Sequence, residues 1–484
     1  MIDVLIIGAG PTGLTLAVDL ARRGVRHRII DPGIRTGSRG KGLQPRTLEV
    51  FDDLGVIGAI RAAGAVYPPI RAYAGGEVVW EGRMSETKAA TAAVPYPNVL
   101  GVPQWRTEEI LRDRLAELGG RVEQGELAAF AQDADGVTAT LADGTTVRAA
   151  YLVGADGGRS TVRRTLGIAF DGETRDEERM LIGDVRTPDL DRDHWHTWAD
   201  LATQSVRVGL FPLAGTDDFQ ITAPIAPDAD PELTLATYQK ALEEASGRSD
   251  IRLADLTWSS VYRVNIRMAE RFRSGRAFLA GDAAHVHSPA GGQGLNTGVQ
   301  DAYNLGWKLA AVVDGAPASL LDTYEEERLP IAAGVLGIST ALYQKAVEGQ
   351  ADAHQRGEET RQLSLGYPDS SLSSGPLGGT RAPDGVLHGK DGAQHRVHDL
   401  LRGPHLTVLA FDPGSSDTDF ENPGVRLVTI GEMGDYQDRN GEVRAAFASD
   451  GAALTLIRPD GYIACTGDAN TIRAHLTRLT STTA

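Results

Sequence analysis

Cysteine is almost absent: Cys465 stands alone in 484 residues. That excludes an intrachain disulfide framework and a Cys-x-x-Cys redox pair. It fits a reducing cytoplasm, the compartment expected here. Basic charge is also short. The chain holds 48 Lys and Arg against 65 Asp and Glu, a net charge of −17. A phosphate backbone would be repelled, so nucleic acid is not an expected partner. No apolar run reaches the roughly 18 residues of a membrane span. Residues 331–343, IAAGVLGISTALY, come nearest and are broken by glycine and polar positions. No basic leader or cleavage site precedes the first glycines, so neither a secretory leader nor a membrane association is expected. No repeat of roughly 20–50 residues is visible. What is left is an ordinary globular composition, 41% hydrophobic and 23% charged. The length suggests two or three domains.

Glycine, by contrast, is placed with purpose. VLIIGAGPTGLTLAVDLARRGVRHRIIDP reads as a βαβ unit. Val4–Ile7 is the continuous apolar run of a parallel strand buried on both faces. Gly8, Gly10 and Gly13 give G-x-G-x-x-G between strand and helix. The first allows the tight turn, the second lets a pyrophosphate approach, and the third lets helix pack on strand. Leu14, Leu16, Ala17, Leu20 and Ala21 follow helical spacing. Asp31 ends the second strand, where a carboxylate accepts bonds from a ribose. The pattern predicts dinucleotide binding without separating NAD from FAD.

Two later stretches extend the pattern. In residues 133–164, Val137, Ala139 and Leu141 alternate with polar residues, and Asp143-Gly144 forms a hairpin turn. Tyr151–Val153 is a buried strand, and Ser160 caps a following helix. Those residues alone fit a well-capped strand–turn–helix as well as a ligand site. The third stretch is GDAAHVHSPAGGQGLNTGVQDAYNLGWKLA (281–310). RAFLAG leads in as a strand. Asp282 follows it, placed for a sugar-alcohol hydroxyl such as a flavin's ribityl chain. The helix begins near Leu295–Thr297, and its free N–H groups favour negative charge. A reduced flavin is anionic at N1 and C2=O. The two glycine loops would then serve opposite ends of one elongated molecule.

Together, GAGPTG…D, GADGGRSTVRR and GDAAHVHSPAGGQGLNTGVQDAYNLGWKL resemble the single-component FAD-dependent aromatic hydroxylases of the p-hydroxybenzoate hydroxylase fold. The likeness is greatest to the larger bacterial members that act on polyketides, phenols and rifamycin-type antibiotics. RGKGLQPRTLEVFDDLGV (39–56) and VPQWRTEEILRDRLAE (102–117) add to it. The resemblance implies that Gly8, Gly10, Thr12 and Gly13 hold the FAD pyrophosphate and Asp31 the adenosine ribose. Arg39, Lys41 and Gly42 would run along the flavin and ribityl side, and Gln104 would bond the ribityl or phosphate region. Leu127 would lie by the adenine, Asp156 and Gly157 near FAD, and Asp282 on the ribityl chain. Gly294, Leu295 and Asn296 would face the flavin N1–C2=O edge, and Pro289 the ring face. Phe211 and Pro289 are the substrate candidates. No catalytic residue is assigned.

The implied fold is α/β: a Rossmann-like FAD-binding domain (1–75, 98–170 and 270–370), an inserted β-sheet substrate domain (76–97 and 171–269) and a thioredoxin-like C-terminal domain (380–484). Residues 367–385, rich in Gly, Ser and Pro, read as a linker. The tail lacks Cys-x-x-Cys, so it is expected to serve as structure or as a dimer contact, and a homodimer is the assembly it suggests. The implied reaction is hydroxylation of an aromatic substrate with O2, with NADPH or NADH as transient reductant, through a flavin C4a-hydroperoxide. Baeyer–Villiger oxygenation and sequestration of an aromatic ligand without turnover are the alternatives. WHTWADL lacks the Trp-x-Trp-x-Ile-Pro signature of flavin halogenases. Arg46 and Arg106 suit ordinary salt bridges as well as cofactor contacts. Tyr262, His194 and His196 are the candidate bases. His285 and His287 form His-x-His but have no third ligand, so no metal is expected.

Overall fold

The computed structural model describes residues 1–34, 36–199, 206–288, 291–347, 355–413, 420, 424–448 and 453–480. The apolar run near the start forms the strand Ile2–Ile7, paired in parallel with His27–Asp31 on one side and Thr146–Gly154 on the other. Val4, Leu5 and Ile6 are fully buried, as a strand covered on both faces must be. Val122–Gln124 and Ala277–Leu279 extend this sheet in parallel at its two ends. The helices Pro11–Arg22 and Gly294–Val313 pack on it. The hairpin around Asp143-Gly144 joins Val137–Leu141 to Thr146–Gly154.

A second, eight-stranded sheet runs in the order His285–Val286, Ala254–Ala269, Phe170–Arg186, Asp218–Ile225, Val206–Pro212, Trp195–Ala199, Ile70–Ala74 and Glu77–Gly82. Its faces differ because side chains alternate along each strand. Leu181, Val185, Val208, Leu210, Phe219 and Ile221 turn to one face, where the helix Leu235–Ser246 covers them with Tyr238 and Leu242. Thr234 caps that helix and Gly247 ends it in the left-handed region. The opposite face looks toward the first sheet.

The tail builds a seven-stranded mixed sheet. Leu406–Phe411 pairs in parallel with Val425–Ile430 and antiparallel with Leu454–Ile457, and the helix Ala469–Leu479 closes the unit. The arrangement is thioredoxin-like. Cys465 is buried, and burial pushes its thiol up to about 12, so it behaves as a small apolar residue.

One expectation fails. Residues 367–385 are not a free linker: Tyr367, Leu372 and Ala382 are buried. Ser370 Oγ donates to Glu327 at 2.7 Å, and Arg381 meets Glu49 at 3.0 Å. The glycines there allow close backbone approach. A Cβ at Gly379, whose φ is +78°, would lie 2.2 Å from the Tyr367 carbonyl oxygen.

No helix among the described residues is long and apolar enough to cross a membrane. The helix Asp322–Val347 contains the 331–343 run, and Pro330 lies inside it.

Candidate active site

The two glycine loops meet at one seam. Thr12 projects between Gly281 and Gly298: a Cβ at either glycine would stand 2.5 or 2.4 Å from Thr12 Oγ1. Gly306 lets the long helix approach Asp19 equally closely. The loop glycines divide by role. A Cβ at Gly13 would lie 1.9 Å from the Gly8 carbonyl, and one at Gly8 would lie 2.3 Å from the Ala155 carbonyl. A Cβ at Gly10 would meet nothing within 4 Å. Gly8 and Gly13 therefore serve packing, and Gly10 borders open space.

Neither helix start is capped by a side chain. In the long helix Thr297 N–H is bonded to Gln293 O at 2.9 Å, so the N–H groups of Gly294, Leu295 and Asn296 precede the first helical bond. Two uncapped N-termini at one seam, one behind an open Gly10, form a cradle for a molecule with a pyrophosphate at one end and an acceptor-rich ring at the other. FAD fits these residues.

The other site residues brace this cradle. Asp31 accepts Ala9 N–H at 2.8 Å and Gly33 N–H at 2.9 Å, fixing the first loop. Each carboxylate oxygen keeps a second lone pair for a ribose. Asp156 accepts Thr161 N–H at 2.7 Å and Val162 N–H at 3.1 Å, and Ser160 accepts Arg163 N–H at 2.9 Å. Both cap the short helix Thr161–Thr165. Gly157 has a φ of +80°. Gln104 accepts Gly40 N–H at 2.9 Å. Asn296 is fully buried. It accepts Gln44 N–H at 2.8 Å and donates to Gly42 O at 2.8 Å and Gly292 O at 2.9 Å. Its side chain thus ties the 38–44 loop to the late glycine loop. Leu127 begins a strand of the first sheet. Asp282 is exposed in the turn Gly281–Ala283 that follows the strand Ala277–Leu279, and Arg39 is exposed. Pro289, expected at the ring face and as a substrate contact, lies outside the described residues.

Below the late loop runs a buried relay. Asp301 accepts from His285 Nε2 at 2.7 Å and from Arg328 Nε at 2.7 Å, and His285 Nδ1 meets His287 Nε2 at 2.8 Å. Burial works against the Asp301 charge, yet His285 and Arg328 hold its carboxyl well below the usual range. Burial, with His285 beside it, keeps His287 neutral. The His-x-His pair is part of this relay.

Above the loop, a row of side chains crosses the inner face of the second sheet. Trp258 pairs with Asp184, Asp184 with Gln220, and Gln220 with Phe211 on adjacent strands. Trp195 meets Phe211 edge-on at 5.2 Å. This row grips the 37–41 loop. A Cβ at Gly37 would lie 2.1 Å from the Trp258 indole. Asp184 accepts Ser38 N–H at 3.1 Å, Gln220 donates to Ser38 O, and Lys41 Nζ donates to Gln220 Oε1. Lys41 therefore points to the sheet.

The row was missed in the sequence apart from Phe211. Its signal was faint but present: Asp184 and Gln220 are polar residues set between apolar neighbours in the mostly apolar runs MLIGDVR and FQITAPI. His194 and His196 do not reach the site. His196 bonds Tyr73 and the Asp191 carbonyl, both at 2.8 Å, and His194 meets Asp191 at 2.7 Å. Tyr262 does face Asp282 and Arg39. Burial, then Asp282, raises its phenol pKa against the pull of Arg39. Arg46 meets Glu49 at 2.9 Å and Arg106 meets Glu109 at 2.5 Å, so both are salt bridges.

The fold and cradle define a dinucleotide-binding protein with a second sheet packed on its 37–41 loop. The chain matches the FAD binding domain model over residues 1–339 and the aromatic-ring hydroxylase C-terminal model over 375–483. It is 48% identical to a flavin-dependent monooxygenase of Mycobacteroides abscessus, over 98% of this chain and 99% of that one. It is 36% identical to an anhydrotetracycline monooxygenase of Streptomyces rimosus, over 97% and 96%. Its structure is similar to aklavinone-11 hydroxylase bound to FAD and aklavinone, with a TM-score of 0.83, 28% identity and coverage of 99% and 98%. The chain belongs to the FAD-dependent aromatic-ring hydroxylases. It is an FAD-dependent aromatic monooxygenase.

Proposed function

We propose that this enzyme hydroxylates the ring of a polycyclic phenol of the polyketide type, with NAD(P)H as transient reductant and O2 as oxidant. The observation that carries the reading is the seam of two uncapped helix starts facing the polar and aromatic row of the second sheet. The names of its relatives support the substrate class, since they include anhydrotetracycline and aklavinone enzymes.

Gly8, Gly10, Thr12 and Gly13 would receive the pyrophosphate, and Asp31 the ribose. Gln104 and Asp282 would serve the ribityl side. FAD, when bound, accepts a hydride and activates oxygen. The protein supplies position and field. The N–H groups of Gly294, Leu295 and Asn296 hold negative charge where it develops. The second sheet covers the ring and excludes water. Asn296 keeps the two loops in register, so substrate and ring are held at a fixed approach.

The test is a screen of phenols for stimulated NADPH oxidation by the purified yellow protein. The expected result is a rise of about tenfold or more with the right phenol. The product should carry one added oxygen from labelled O2, placed on an aromatic carbon by NMR. Oxygen inserted beside a carbonyl would establish Baeyer–Villiger chemistry instead. Tight binding of many aromatics with no turnover would leave only sequestration.

A further inference from the structure

Lys41 is set apart from the other bases of the chain by what surrounds it. Its ammonium donates to a neutral amide, Gln220. It stands 5.0 Å from the Phe211 ring centroid and 5.8 Å from that of Trp195. Tyr67 completes the wall, with its ring 4.9 Å from Phe211. Among the described residues no carboxylate lies within ion-pair distance of Lys41, and Asp184 acts on it only from farther off. A desolvated ammonium ordinarily has an anion beside it. Ring faces compensate only in part.

Lys41 and Tyr67 also share a second property. Burial lowers the Lys41 ammonium pKa and raises the Tyr67 phenol pKa. Yet each side chain keeps part of its surface accessible. Both therefore border accessible surface beside the Phe211 ring.

We propose that Lys41, walled by Tyr67, Trp195 and Phe211, is the specificity determinant that pairs with the ionised ring oxygen of an acidic polycyclic phenol. This rests on the hydroxylase reading above and names its substrate charge and its recognising residue. The ring walls accept a flat polycycle. The ammonium supplies the charge that the oxyanion lacks, and Gln220 fixes the ammonium in place. On binding, the phenol O–H bond breaks, the proton leaves to bulk water, and the oxyanion remains beside Nζ. Electron density on the ring carbons ortho and para to that oxygen rises, which suits them to electrophilic oxygen transfer.

Other titratable groups lie around the same surface. Asp184 comes from Phe170–Arg186 and Tyr262 from Ala254–Ala269. Tyr67 comes from the segment before Ile70–Ala74, and Arg39 and Asp282 lie beyond Tyr262. The strands carrying Trp195, Phe211 and Gln220 present no titratable side chain in the row.

The experiment uses FAD-loaded, oxidised enzyme and the hydroxyanthraquinone alizarin, whose visible band moves to longer wavelength on ionisation. In the wild-type protein the bound dye should ionise about one pH unit or more below the free dye. Lys41→Met should abolish that shift and weaken binding of the anionic dye by about tenfold or more. It should leave flavin content and thermal midpoint unchanged or higher. Lys41→Arg should keep most of the shift. The proposal is overturned if wild-type and Lys41→Met titrate the dye alike, or if the wild-type protein does not bind it. It is also overturned if Lys41→Met loses its fold or its flavin, which would make the lysine a structural brace. The hydroxylase reading is judged separately by phenol-stimulated NADPH oxidation. A dye shift with no turnover of any phenol keeps the site and removes the reaction; turnover with no dye shift does the reverse.

Discussion

Two lysines, Lys41 and Lys308, are pulled by burial to the same point, an ammonium pKa of about 8. Their surroundings differ in every other way. Lys308 is wholly buried and donates to Glu327 at 2.7 Å. Glu327 also takes Arg458 at 2.5 Å and Asn304 at 2.7 Å, and Arg458 in turn meets Asp460 at 2.5 Å. Two acids face two bases, and the network is closed. It ties the long flavin-loop helix to the tail, whose core also takes in Trp307. Among the described residues Lys41 has no carboxylate in contact, only Asp184 at longer range, and it faces rings. A closed network holds pieces of a fold together, and an open one is poised for a ligand. The same pKa thus marks a structural residue in one place and a binding residue in the other.

The strongest break of this contrast is Glu327→Ala. Burial opposes the Glu327 charge, but Arg458 and Lys308 hold its carboxyl well below the usual range. Removing it leaves Lys308 buried without its carboxylate and Arg458 with Asp460 alone, and such a change costs about 3–5 kcal/mol. Urea unfolding should show a large fall in midpoint, with the tail released first in limited proteolysis. Lys41→Met should show no fall. Equal losses in both variants would erase the distinction between closed and open clusters.

The first loop carries the same contrast in its glycines. Gly13→Ala forces a methyl into the Gly8 carbonyl and should cost about 1–3 kcal/mol or more of stability. Gly10→Ala meets no protein atom, so the fold should keep its midpoint. The methyl would stand where we propose that the pyrophosphate approaches, so FAD affinity should fall by about tenfold or more. A Gly10→Ala protein with unchanged affinity would move the pyrophosphate elsewhere.

Asp282 makes a smaller claim, about the ligand. A charge-assisted bond to the ribityl chain contributes roughly 1.5–3 kcal/mol. Asp282→Ala should therefore weaken FAD binding by about one to two decades in a fluorescence titration. No change would remove Asp282 from the site.

Much of this was legible in the chain, and the reasons are local. The strand Ile2–Ile7, the loop glycines, the Asp143-Gly144 turn and the Ser160 cap each follow from a few neighbouring residues. What stayed hidden depends on distant pairing. The family resemblance implies Lys41 along the flavin, but its direction is set by Gln220, which is 179 residues away. Residues 367–385 read as a linker because glycine and serine give one composition to two structures. In this chain the glycines allow close backbone contacts and the serines bond Glu326 and Glu327. The buried charges Lys308 and Arg458 carry no sign of burial in their own type.

The smallest effect is a pH dependence that separates the two lysines. The folded Lys41 holds its proton less tightly than the unfolded chain, whose lysine loses its proton near 10.5. Between about 8 and 10.5 the unfolded state therefore binds more protons, so stability rises with pH across that window. Below it, the cost of burying the charge is felt in full. Asp184 acts oppositely: burial pushes its carboxyl up to about 6 against its bonds to Ser38, so stability falls as pH rises through about 4 to 6. Lys308 titrates in the same window as Lys41, so the informative quantity is the difference between wild-type and Lys41→Met. Partial accessibility of Lys41 reduces the expected difference to about 1 kcal/mol. Urea midpoints of the protein without aromatic ligand, taken at neutral pH and again near the top of the window, should converge for the two proteins as Lys41 loses its charge. A bound phenolate should raise the Lys41 pKa and remove the wild-type rise. Parallel curves at both pH values, with or without a phenolate, would show that Lys41 titrates as an ordinary surface lysine and that the two clusters do not differ as the geometry requires.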